Sequence, residues 1–116
     1  MKGIDLHGIK LHGVKLVGYT LEEANLSNVD FRYDADLSEC NLRGADLSFT
    51  QFSSMGGYYT SLRQADLRRA SLRGAEFSVV SMQHANLSFA DLRGAKLQAV
   101  DARGVDFTNV NLAEAN

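Results

Sequence analysis

Ala85-Asn86-Leu87-Ser88-Phe89-Ala90-Asp91-Leu92-Arg93-Gly94-Ala95-Lys96-Leu97-Gln98 repeats one pattern every five residues: a small residue, a polar residue, a leucine and two tolerant positions. Counting forward from Leu87, the large apolar position, or centre, recurs at Leu92, Leu97, Ala102, Phe107 and Leu112. Backwards it falls on Met82, Phe77, Leu72, Leu67, Leu62, Gly57, Phe52, Leu47, Leu42 and Leu37. A six-residue step then leads to Phe31, and the period resumes through Leu26, Leu21, Leu16, Leu11 and Leu6. Two residues before the centres runs a smaller apolar set that includes Ala35, Cys40, Ala65, Val80, Ala85 and Val110. Both sets are expected to point inward.

A period of five matches neither the helical 3.6 nor the strand period of 2, so it describes whole structural units. One such unit is too short to bury its own leucine. Units must therefore stack, with a turn every five residues and backbone pairing between successive coils. Here the chain resembles the pentapeptide-repeat family, whose motif is Ala-(Asp/Asn)-Leu-X-X, and the match runs over essentially its whole length. The resemblance implies an all-β fold, a right-handed quadrilateral parallel β-helix with four units per coil. That makes about 5.5 coils in a solenoid, roughly 26 Å long at the spacing of stacked strands.

Composition agrees with one continuous domain over residues 1–116. The chain has no proline, as expected where nearly every backbone N–H is used between coils. Its 14 acidic and 12 basic residues leave a net charge of −2, so neither direct nucleic-acid binding nor attachment to an acidic membrane is expected. Cys40, the single cysteine, sits in the small inward position and reads as a buried alanine substitute. It excludes a disulfide framework or a thiolate zinc site within one chain. The opening Met1-Lys2-Gly3-Ile4-Asp5 is already in register and has no long apolar run, which points to a cytoplasmic protein.

Three irregularities interrupt the pattern. Ile4, Ile9, Val14 and Tyr19 enlarge the small position of the opening coil. The extra residue between Phe31 and Leu37 leaves the later register intact, so it is expected to bulge outward and carry Tyr33 and Asp34. The third lies in Ser53-Ser54-Met55-Gly56-Gly57-Tyr58-Tyr59-Thr60, where Gly57 occupies a centre and Met55 the small position of the same unit. The expected arrangement is a size swap, with Met55 filling the volume that Gly57 vacates. The alternative is an excursion loop that exposes Tyr58 and Tyr59, which are also candidate partner contacts.

Residues twenty apart, allowing for the insertion, are expected to share a face. One such column reads Asp5, Asn25, Asp46, Asp66, Asn86, Asp106, and another aligns Phe49, Arg69 and Phe89. Alternation of aromatic and arginine, bordered by Asp46 and Asp66, suggests a partner-binding wall, with internal cation–π reinforcement as the other reading. Val110 and Leu112 lie on the uncovered edge of the C-terminal coil and are expected contacts for an end-to-end homodimer, an association the family resemblance also implies. No catalytic, metal or cofactor site is expected: His7 and His12 fall on adjacent faces, His84 is remote, and the regular serines have no paired base.

Flat columns without a cleft point to a non-enzymatic scaffold that binds an unidentified protein partner. The resemblance supplies a second possibility, because some family members mimic duplex DNA and protect DNA gyrase or related type II topoisomerases. A rod of this length would need on the order of 15 excess negative charges to match duplex DNA. A net charge of −2 argues against it.

Overall fold

The computed structural model describes Met1–Asn116, and its logic is visible in the five amides of one unit. In Ala65–Arg69, the Ala65 N–H closes a turn onto Leu62 O at 3.1 Å, and the Asp66 N–H reaches back one coil to Cys40 O at 2.9 Å. The N–H groups of Leu67 and Arg69 donate forward to Asn86 O and Ser88 O, at 2.8 and 3.1 Å. The remaining donor, Arg68 N–H, is taken by Oδ1 of Asp66 at 3.2 Å. This last bond is an Asx turn, the physical reason why Asp or Asn so often precedes a centre. With every donor assigned, a proline would strand an acceptor somewhere in the wall.

The turns place the residue two after the centre in the left-handed region. Non-glycine residues do this as well, including Arg69 at φ 60°, Phe49 at 58° and Val79 at 56°. Positive φ therefore does not by itself demand glycine in this wall. Gly74 has a steric reason: a Cβ there would lie 2.6 Å from Cδ1 and Cε1 of Phe49, whose ring lies over it from the coil below.

Three regular strands, β1 (Gln51–Ser53), β2 (Glu76–Ser78) and β3 (Lys96–Gln98), pair in parallel on one face in the order β1-β2-β3. Elsewhere the coils meet through single parallel bridges such as Asp66 with Asn86. Behind the strands Phe31, Phe52 and Phe77 stack at centroid distances of 5.1 and 5.0 Å, with interplanar angles of 8° and 3°. They belong to a core cluster of 26 buried residues, nearly all centres or small inward positions. Cys40 is buried in this core, its Sγ–H donating to Leu16 O at 2.8 Å, and burial pushes its thiol up to about 11.

The bridge pattern corrects the reading of Gly57. Asp36 pairs with Ser61, Asn41 with Asp66, and Asp46 with Ser71. Each of these steps is five residues longer than Ser61 to Ser81 or Asp66 to Asn86 above them. One unit has left the wall, so the solenoid is a quarter-coil shorter than the sequence count. Met55 is 57% exposed and fills no core volume. Thr60 takes the small inward position, fully buried, with its hydroxyl donating to Ser53 O at 2.8 Å. Glycine at a centre would leave a leucine-sized void, and extrusion avoids it while aligning Phe52 under Phe77.

The other insertion behaves as expected. Tyr33 and Asp34 both adopt left-handed φ, 60° and 66°; Tyr33 keeps its bond to the coil above, and Asp34 is the extra residue that bulges outward. Lys15 Nζ holds the bulge, 2.9 Å from Asp34 Oδ2 and donating to Asp34 O at 2.6 Å. In the opening coil Ile4, Leu6, Leu11, Val14 and Leu16 pack against the core, whereas Ile9 and Tyr19 remain exposed. No helix is long and apolar enough to cross a membrane.

Candidate partner-binding face

The extruded segment is a built loop. Tyr58 N–H bonds to Met55 O at 3.0 Å, and Gly56 and Gly57 both have positive φ, 60° and 86°. Left-handed backbone at both central positions is the signature of a type I′ turn, which glycine pairs favour. The base is clamped to the wall, since Thr60 N–H bonds to Ser54 Oγ at 2.7 Å and Ser54 N–H to Ser78 O at 3.0 Å. Tyr58 and Tyr59 at the tip are 58% and 71% exposed.

The loop leaves the wall at the corner that already carries the bulge. Tyr33 N–H bonds to Ser53 O at 3.1 Å, directly below the loop, and the exposed Val79 lines a hollow of about 260 Å³ together with it. Tyr33 is itself fixed: its ring stands edge-on to His12 at 5.0 Å, and the Arg32 guanidinium lies 5.5 Å from its centroid. Both neighbours are anchored by Asp30, which accepts from His12 Nε2 at 2.7 Å and from Arg32 Nε and Nη2 at 2.8 and 2.6 Å. The Arg32 contact holds the Asp30 carboxyl well below the usual carboxylate range. Tyr33, Met55, Tyr58, Tyr59 and Val79 thus form one exposed apolar corner on an ordered support. Beside it the β1–β3 face presents Gln51, Glu76 and Lys96, with Lys96 Nζ 2.8 Å from Glu76 Oε1.

Extrusion also redistributes the residues singled out from the sequence. Phe49 N–H bonds to Arg73 O, so Phe49 lies under Gly74 and not under Arg69. Arg69 lies under Phe89 on another corner, its guanidinium 5.2 Å from that ring. The expected three-member column is therefore one cation–π pair plus a separate phenylalanine. Asp46 bridges to Ser71, whereas Asp66 bridges to Asn41 and Asn86, which separates the two acids and divides the supposed acidic column. In the C-terminal coil Leu112 is exposed and Val110 half-buried.

Sequence reasoning also missed a pairing rule. Where Asp precedes a centre and Arg follows it, the two side chains clamp together: Asp30 with Arg32, Asp66 with Arg68, Asp91 with Arg93 and Asp101 with Arg103. Each arginine lowers its carboxylate's pKa by hydrogen bonding to the charged form. The recurring Asp-x-Arg spacing was the available signal.

Parallel four-sided coils with inward leucines, phenylalanines and alanines define a right-handed quadrilateral β-helix. This chain belongs to the pentapeptide-repeat family: the description "Pentapeptide repeats" matches in 8 copies, over residues 4–33, 33–54, 60–98 and 90–116. Residues 55–59, the extruded turn, fall outside every match. Among solved structures, the chain is similar to the pentapeptide repeat protein Rfr23 of the cyanobacterium Cyanothece 51142, with 27% identity and a TM-score of 0.85, covering 99% of this chain and 86% of that one. HetL of Nostoc sp. strain PCC 7120, described as involved in heterocyst differentiation regulation, is 28% identical with a TM-score of 0.59, covering 97% of this chain and 59% of its own. A pentapeptide repeat protein of the Arabidopsis thaliana thylakoid lumen is 30% identical with a TM-score of 0.51, covering 90% and 68%. Comparison with curated proteins finds no significant match.

Proposed function

We propose that the protein is a non-enzymatic scaffold that binds a protein partner through the β1–β3 face and the loop at its edge. The observation that carries this reading is the extruded loop. Its side chains contribute nothing to the core, yet it is ordered by a tight turn and clamped at its base, and it places Met55, Tyr58 and Tyr59 beside Val79, on the corner that carries Tyr33 one coil below. Exposed aromatic and methionine clusters on a rigid support are the anchors by which interfaces gain most of their energy. The charge layout favours this reading over DNA mimicry, because four of the aspartates are already clamped by arginines on the same wall. In the same proposal Val110 and Leu112 serve self-association through the C-terminal coil, which light scattering over a range of concentrations would measure.

The test compares immobilised parent with Tyr58→Ser/Tyr59→Ser, exposed to extract of the source cell, with captured proteins identified by mass spectrometry. A specific protein retained by the parent and lost by the double variant, at equal melting temperature, supports the reading. Identical capture by both would remove the loop from it.

A further inference from the structure

At the other edge of the β1–β3 face, Phe49, Gly74, Gly94 and Glu114 follow one another up a corner, linked by Phe49 N–H to Arg73 O, Gly74 N–H to Arg93 O and Gly94 N–H to Ala113 O at 2.8, 3.0 and 2.9 Å. The Phe49 ring, 59% exposed, lies against Gly74, and nothing stands within 4 Å of where a Gly94 Cβ would be. The result is an open trough of about 370 Å³ with an aromatic wall at one end, the bare Gly94 backbone as its floor and Glu114 at the far end. Its flank carries Arg73 and Arg93.

The two arginines are not equivalent. Arg93 is spent on Asp91, with Nη2 2.6 Å from Oδ2 and Nε 2.9 Å from Oδ1. Arg73 has Ser71 where the clamped arginines have aspartate, and it makes no ion pair. One guanidinium with no ion pair of its own, though within electrostatic reach of Asp91, therefore borders a slot whose apolar wall is Phe49. Guanidinium binds carboxylate in a planar, two-bond geometry, and a flat ring laid on Phe49 and the glycine floor would gain stacking contact. Glu114 opposes a second negative charge, which selects a monoanion over a phosphate dianion.

We infer that this trough is a binding site for a carboxylate carried next to a flat apolar side chain, the chemistry of an acidic-aromatic peptide segment of a partner. It extends the docking face proposed above, but its test needs neither the loop nor the partner. The probe is N-acetylphenylalanine, titrated into the full chain and followed by amide NMR shifts, with N-acetylphenylalaninamide as the neutral control. The acid should shift Arg73, Gly74 and Gly94 saturably, and the amide should bind at least tenfold more weakly. Arg73→Gln should weaken the acid at least tenfold. So should Gly94→Gln, which fills the notch with a residue that Gln64 shows the wall accepts at φ 57°. Arg63→Gln, another arginine outside the Asp-x-Arg clamps, should change nothing. Equal binding of acid and amide, undiminished binding by Arg73→Gln, or no saturable shift overturns the site. Tighter binding of phenyl phosphate overturns the choice of carboxylate. Partner capture in the Tyr58/Tyr59 test is independent of all these outcomes, so failure of one proposal is distinguishable from failure of the other.

Discussion

Deleting residues 55–59 should leave the fold intact. The join then reads Phe52-Ser53-Ser54-Thr60-Ser61-Leu62, one regular unit, with Thr60 already in the inward position and Ser61 already bridged to Asp36 and Ser81. No buried side chain is lost, because Met55, Tyr58 and Tyr59 are all more than half exposed. The only backbone bond inside the deleted segment's turn is Tyr58 N–H to Met55 O. Shortening the connection lowers the closure entropy by about 1 kcal/mol, which offsets the loss of that bond, worth roughly 1 kcal/mol. The net change is close to zero, a shift of at most about 5 °C in melting temperature for a chain of this size. A control deletion of residues 65–69 removes the buried Leu67 and misaligns the coils above it, and should cost at least the roughly 2–5 kcal/mol of a core leucine. Thermal melts by circular dichroism, with amide spectra to confirm the retained wall, decide the matter. If the first deletion melts as low as the control, the segment is part of the wall and the extrusion is wrong.

Met55→Ala should change stability by no more than about 0.5 kcal/mol as an exposed substitution, whereas Phe52→Ala, at the centre of the phenylalanine stack, should lose roughly 3–5 kcal/mol in urea denaturation. The aspartates clamped by arginine have folded-state pKa values below the unfolded value of about 3.9. Folding thus releases protons in acid; their contribution is fully present above roughly pH 4–5 and is lost as pH falls through the depressed values. Urea midpoints should be flat near neutrality and decline below about pH 4, less steeply in Asp66→Asn/Asp91→Asn. Cys40, with its thiol raised to about 11 by burial, should resist a thiol-disulfide reagent at pH 8 until denaturant opens the core. Prompt labelling of the native chain would show the coil around it to be open.

A five-residue period that fits no helix or strand leaves stacking as the only way to bury Leu67 or Leu87, so the solenoid was legible in the sequence alone. The one-residue insertion at Tyr33-Asp34 was equally legible, since an extra residue that did not bulge would turn every later centre away from the core. The segment 55–59 was not, because it is one period long: kept in the wall or expelled, it leaves Leu62 in phase. Gly56-Gly57 carried a local hairpin signal, but local preference alone does not decide between a weak wall unit and a turn. That decision belongs to the closed coil, where Phe52 must find Phe77 above it and a glycine centre would leave a hole among leucines. From it follow the neighbours across the faces below that point: Phe49 beneath Gly74, not beneath Arg69, and Asp46 apart from Asp66. Near-identical units specify how each one sits in its coil, while which unit lies above which is set only when the whole coil closes.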